Sequence, residues 1–108
     1  MGQDDRILGL GVAGGAEQAG VSLADISSFE INEAFASVTV AAIKRLGINP
    51  EIVNVNGSGC SLGHPIGCTG ARMIVTMINE LERTDGRFGA VAMCAAGGMG
   101  SATIIERV

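Results

Sequence analysis

The chain has 108 residues, enough for one small domain, and at 47% hydrophobic and 17% charged it has the composition of a folding sequence rather than a disordered one. Seven Lys and Arg against eleven Asp and Glu leave a net charge of −4, which argues against a nucleic-acid-binding face. No apolar run approaches the roughly 18 residues that span a bilayer, and the acidic start Met1-Gly2-Gln3-Asp4-Asp5-Arg6 is neither a signal peptide nor, with Arg6 in place of Ser or Thr, a myristoylation motif.

Seventeen glycines and only three aromatic residues, all Phe, imply a core of Val, Ile, Leu, Met and Ala with close backbone approaches. Three cysteines without a signal peptide point to free thiols in a reducing compartment, hence a cytoplasmic protein. With one histidine, any imidazole chemistry falls to His64.

In chain order, residues 10–19 predict a helix stopped at Gly20. Ser22 and Asp25 mark a turn, and Ser28 to Asn32 alternates like a short strand. Phe35, Val38, Ala42 and Leu46 predict a helix from Glu33 to Leu46, closed by Gly47. Asn49-Pro50 is a turn signal, and the β-branched stretch Ile52 to Asn56 predicts a strand. Residues 57–70, rich in glycine and carrying Pro65, predict an irregular loop.

A helix is expected from Ala71 to Arg83, with Ala71, Ile74, Val75, Ile78 and Leu81 on one face and Met73 and Met77 forming a second apolar strip. A helix with more than one apolar face is usually covered on more than one side, so this one hints at a partner surface. Asp85-Gly86 is a turn, and two strands, Phe88 to Cys94 and Ser101 to Arg107, flank the turn Ala95 to Gly100. The alternation predicts an α/β fold with a mixed sheet.

Three places could carry chemistry. Asn32-Glu33-Ala34-Phe35 stands where a strand gives way to a helix, so Asn32 is either a helix cap or an amide aimed into a cleft beyond the strand's carboxyl end. Gly63-His64-Pro65 sits in the glycine-rich loop, where a solvated connection, a phosphate cradle and a metal site are the competing readings. No Walker lysine follows, and the glycines and proline spoil the helical alignment that would let Cys60, His64 and Cys68 share a metal. Cys94 ends a strand before a turn without bulk, so it is either a small buried hydrophobe or a cleft thiol beside N–H groups able to bind an oxyanion.

Taken in order, NEAF at residues 32–35, NVNGSGCSLGHPIGCTGAR at 54–72, CAAGGMG at 94–100 and the closing ATIIER resemble the C-terminal part of the thiolases, the acyl-CoA C-acyltransferases. The similarity runs from about Ile7 to Val108. It implies a layered thiolase-like C-terminal half, residues 1–108 forming one domain truncated at its start, with a mixed sheet carrying helices on its faces.

Residue by residue, it implies that His64 and Asn32 (through a water) form an oxyanion hole. His64 also helps activate a nucleophilic cysteine, Cys94 is the acid/base at the acyl α-carbon, and the Ala96 N–H belongs to a second oxyanion hole. Such donors suit the enolate of a Claisen condensation, and a thiol serves as base only as thiolate, a form that imidazole and backbone dipoles favour. Cys94 separates this pattern from decarboxylating ketoacyl synthases, which use a second histidine.

The resemblance also has departures. Ala96-Gly97-Gly98 stands where the family usually has three glycines, and the acyl-accepting cysteine motif of the family's N-terminal half is absent, since Cys60 and Cys68 do not lie in it. The expectation is therefore an acyltransferase part acting on acyl-CoA, with coenzyme A as substrate and no tightly bound cofactor or metal. It would be inactive alone and paired with a cysteine-bearing N-terminal half in a homo- or hetero-oligomer. The alternative is a non-catalytic acyl-CoA-binding or interaction module paired with another condensing-enzyme chain.

Overall fold

A computed structural model describes residues 3–108, with side chains from Gly11 onward; Met1-Gly2 lies outside it. The element order is α1 (Gln3–Gln18), β1 (Ile26–Ile31), α2 (Ala36–Leu46), a four-residue helix α3 (Gly59–Leu62), α4 (Thr69–Thr84), β2 (Phe88–Ala95) and β3 (Met99–Glu106), with 3-10 turns at Leu23–Asp25 and Pro50–Ile52. The sheet runs β1-β2-β3, with β1 parallel to β2 and β2 antiparallel to β3. This is the mixed α/β sheet that the alternation predicts.

Period-two alternation divides the side chains between two faces. Ile26, Phe29 and Ile31 of β1, with Ala90 and Ala92 of β2, meet Val12 and Ala16 of α1 and Val38 and Ala42 of α2 in one buried cluster. Gly15 lets α1 lie close on β3, where an added Cβ would already touch Ala102. On the opposite face Val91 packs with Met73, Met77 and Leu81 of α4. Gly89 opens the slot that Met77 fills, because a Cβ there would fall 2.6 Å from the Met77 Cγ.

Helix ends follow local chemistry. Gly47 takes the left-handed conformation, φ +65°, and its N–H caps Ile43. Asp85 does the same for α4 at φ +55°, donating to Leu81.

Four sequence expectations need correction. The second helix starts at Ala36 rather than Glu33, with Phe35 as its cap position, so Asn32 is not the cap. Ile52 to Asn56 is no strand: one parallel bridge, Phe29 to Val53, forms before Asn54 turns to φ +51°. There the Asn54 side chain replaces the ladder, its Oδ1 accepting from the Ile31 N–H at 2.7 Å and its Nδ2 donating to the Ile31 carbonyl at 2.9 Å. On the last helix both apolar strips are present and the structure sorts them: Met73 and Met77 are buried together with Leu81, while Ile74, Val75 and Ile78 are exposed. The irregular loop contains α3, and the glycine turn shrinks to Ala96, Gly97 and Gly98, both glycines at φ +78°.

Candidate active site

Asn32 stands one residue beyond β1, its N–H donating to the Ala92 carbonyl at 2.9 Å. It lies at the carboxyl end of the parallel pair, where α/β folds place their ligands. The side chain is 1% exposed, and neither Oδ1 nor Nδ2 meets a hydrogen-bond partner among the described residues. A buried amide without partners costs about 1–3 kcal/mol per group, an expense that packing alone does not explain.

The glycine-rich loop folds against this amide. A Cβ on Gly59 would lie 2.8 Å from the Glu33 carbonyl oxygen and 3.2 Å from Asn32 Oδ1, so only glycine permits the contact. Glu33 fastens the loop further by accepting the Cys60 N–H at 3.0 Å, and Ser58, fully buried, donates its hydroxyl to the Ile31 carbonyl at 3.1 Å. Desolvation, followed by the charge of the Glu33 carboxylate and its hydrogen bond, pushes the Cys60 thiol up, away from the thiolate form.

His64 follows Gly63, whose φ of 89° and ψ of 170° belong to a region essentially restricted to glycine. His64 is exposed, and its Nδ1 lies 2.7 Å from the hydroxyl of Thr69, the first residue of α4. Thr69 Oγ1 in turn donates to the Pro65 carbonyl at 3.1 Å. Gly70, next in the helix, passes over Met93, with 3.6 Å from its would-be Cβ to the sulfur, which brings the His64 anchor close to the end of β2.

Cys94 is half-buried near the end of β2 and packs at the rim of the α1/α2 cluster. It makes no hydrogen bond to His64 or Asn32; it stands on the strand paired with β1, two residues beyond the Ala92 carbonyl that accepts the Asn32 N–H. The Ala96 N–H, exposed at the hairpin tip, meets no backbone acceptor among the described residues.

Sequence reasoning missed two contributors. Thr69 carries no chemistry that stands out in a string, and only its hydrogen bond to the imidazole discloses it. Glu30 and Arg72 form an ion pair at 2.8 Å behind the site, with Glu30 nearly buried. Burial pushes the Glu30 carboxyl above its usual range, and the Arg72 guanidinium offsets part of that rise. A separate groove of about 480 Å³, lined by Ser22, Leu23, Phe29, Leu46 and Ile52 among others, lies toward the amino end of β1, away from these groups.

The parallel strand pair thus ends at a buried amide with a glycine-rich, imidazole-bearing loop packed against it, and a half-buried thiol stands near the end of β2. Residues 2–107 match the family described as thiolase, C-terminal domain, and the chain belongs to that family. It is 47% identical over 113 residues to the peroxisomal 3-ketoacyl-CoA thiolase 2 of Arabidopsis thaliana, covering 99% of this chain and 24% of that protein. It is 46% identical over 110 residues to the cytosolic acetyl-CoA acetyltransferase of Mus musculus, covering 98% and 28%.

Among solved structures, the acetyl-CoA acetyltransferase of Bacillus anthracis superposes with a TM-score of 0.87 at 46% identity, over 96% of this chain and 27% of the other. Human mitochondrial 3-ketoacyl-CoA thiolase gives 0.88 at 36% identity, with the same coverage. The chain thus spans about a quarter of the length of these relatives and matches their C-terminal part.

Proposed function

We propose that this chain supplies the C-terminal part of a thiolase-type acyltransferase that condenses acyl-CoA thioesters or cleaves 3-ketoacyl-CoA. In this reading the nucleophilic cysteine comes from an N-terminal half. The observation that carries it is the close packing of the His64 loop on the unpartnered Asn32 amide, made possible by Gly59.

The chemistry follows from the groups. The cysteine of the N-terminal half transfers its thiol proton to the His64 Nε2 and attacks the thioester carbonyl; coenzyme A leaves with the proton of the Cys94 thiol, which becomes the thiolate. The Cys94 thiolate then takes the α-proton of the second acyl-CoA. The enolate oxygen is met by the His64 Nε2–H and by a water held on the Asn32 amide, donors placed before charge develops. The enolate carbon attacks the acyl-cysteine carbonyl, whose oxygen is met by the Ala96 N–H; the cysteine sulfur leaves and the 3-ketoacyl-CoA forms.

The exposed Ile74, Val75 and Ile78 favour a docking role for α4 within the same assembly. Three free thiols suit a reducing compartment. Among the described residues no helix is long and apolar enough to cross a membrane, and the named relatives include a cytosolic and a peroxisomal protein.

Mixing the chain with a cysteine-bearing thiolase N-terminal half and following acetoacetyl-CoA thiolysis tests the proposal. Turnover is expected only in the mixture, with His64→Ala lowering it about 100-fold or more and Cys94→Ser about 100- to 10,000-fold. Turnover by the chain alone at about 1 per second contradicts the need for a second half. Acyl-CoA binding by the chain without any turnover in the mixture replaces the enzyme reading with that of a non-catalytic module.

A further inference from the structure

Thr69 is 1% exposed, so its hydroxyl has only protein partners to satisfy it. Two oxygen and nitrogen neighbours compete for it: the Pro65 carbonyl at 3.1 Å and the His64 Nδ1 at 2.7 Å. The hydroxyl has one proton to give. If that proton went to Nδ1, the Thr69 oxygen and the Pro65 carbonyl oxygen would face each other as two acceptors at hydrogen-bond distance, a repulsive contact in a buried setting. If it goes to Pro65, the usual back-bond from a helical Thr to the carbonyl four residues earlier, a Thr69 lone pair accepts from Nδ1–H and both contacts attract.

We propose that Thr69 is a positioning residue that holds neutral His64 in its Nδ1–H tautomer, leaving the Nε2 lone pair as the reactive edge. The functional consequence rests on the acyl-transfer reading above. With Nε2 unprotonated, His64 accepts the proton of a thiol, the S–H bond breaking as the N–H bond forms. The resulting imidazolium keeps Nδ1–H on Thr69 and presents its new Nε2–H to an oxyanion. One hydroxyl thereby lets a single imidazole serve first as base and then as donor, because the hydrogen bond at one ring nitrogen decides the state of the other.

The test uses the 108-residue chain itself, labelled with nitrogen-15. His64 is its only histidine, so long-range proton–nitrogen correlations report one ring. The expected pattern is Nδ1 protonated and Nε2 bare. Thr69→Val, which keeps the shape and removes the hydroxyl, is expected to shift the tautomer ratio toward Nε2–H by about tenfold, the worth of one hydrogen bond. Thr69→Ser is expected to keep the original pattern.

An Nε2–H ring in the unaltered chain overturns the proposal. So does an unchanged ratio in a folded Thr69→Val chain, or loss of the Nδ1–H form in Thr69→Ser. Should Thr69→Val fail to fold, the unaltered chain and Thr69→Ser still decide the matter. Because the tautomer is read without acyl transfer, failure of the recombination assay leaves this result standing.

Discussion

The two faces of the sheet are built differently. The face under α1 and α2 is closed, with Phe29, Ile31 and Ala92 sealed by Val12, Ala16, Val38 and Ala42. The face under α4 has a narrow apolar seam of Met73, Met77, Leu81 and Val91, a buried carboxylate at each end in Glu30 and Glu80, and an outer helix surface that stays exposed. The first face accounts for the fold. The second leaves the outer side of α4 uncovered among the described residues and runs into the His64 loop through Thr69, whereas Cys94 sits at the rim of the first, so the sheet has one closed face and one open face and the candidate site groups are shared between them.

Truncation on each face measures that contrast. Phe29→Ala is expected to cost about 3–5 kcal/mol and Met77→Ala about 2–5 kcal/mol in denaturant unfolding. A loss below about 1 kcal/mol at Met77 would mean that α4 is not held by its seam.

Arg72→Ala strands the Glu30 carboxylate and is expected to cost about 3 kcal/mol at neutral pH. Burial already holds the Glu30 pKa above its usual range, so this penalty attaches to the charged form. The deficit should therefore shrink as pH falls and Glu30 takes up a proton, which unfolding at pH 7 and pH 5 compares directly.

Gly59→Ala forces the loop off the Glu33 carbonyl. It is expected to cost about 1–3 kcal/mol as an overpacking change and to abolish turnover in the mixture out of proportion to that loss. Normal turnover with Gly59→Ala would break the link between the loop packing and the site.

The smallest effect on stability is expected at the outer surface of α4. Ile78→Glu should change unfolding by no more than about 0.5 kcal/mol while weakening association with a cysteine-bearing half.

Glu80 carries the opposite pH sign from Glu30. The Arg83 guanidinium and the Asn56 amide hold its carboxyl below the usual range against its burial, so its contribution is present above about pH 4.5 and is lost on further acidification. Glu80→Gln should flatten the acid limb of the stability curve.

Much of this was legible in the string of residues because glycine positions and motif order constrain backbone and chemistry together. Gly47 stops a helix, Gly63 takes a conformation open only to glycine, NEAF and CAAGGMG fall at the ends of β1 and β2, which the sheet pairs, and GHP follows α3.

What was hidden depends on contacts between distant segments. Nothing local reveals that Asn54 spends its side chain on Ile31 and so ends a strand that its β-branched neighbours favour. Periodicity finds both apolar strips of α4 but cannot choose between them. The choice rests on the slot that Gly89 leaves for Met77 on β2. Likewise, Thr69 acquires its part only when the chain turns His64 back onto the helix start.

Amide mapping of the labelled chain against a cysteine-bearing thiolase half tests the contrast most directly. Perturbations are expected at Ile74, Val75 and Ile78 together with His64 and Gly63, while residues of α1 and α2 that seal the closed face keep their signals. Perturbations confined to α1 and α2, with the outer side of α4 and the His64 loop unchanged, would contradict the account.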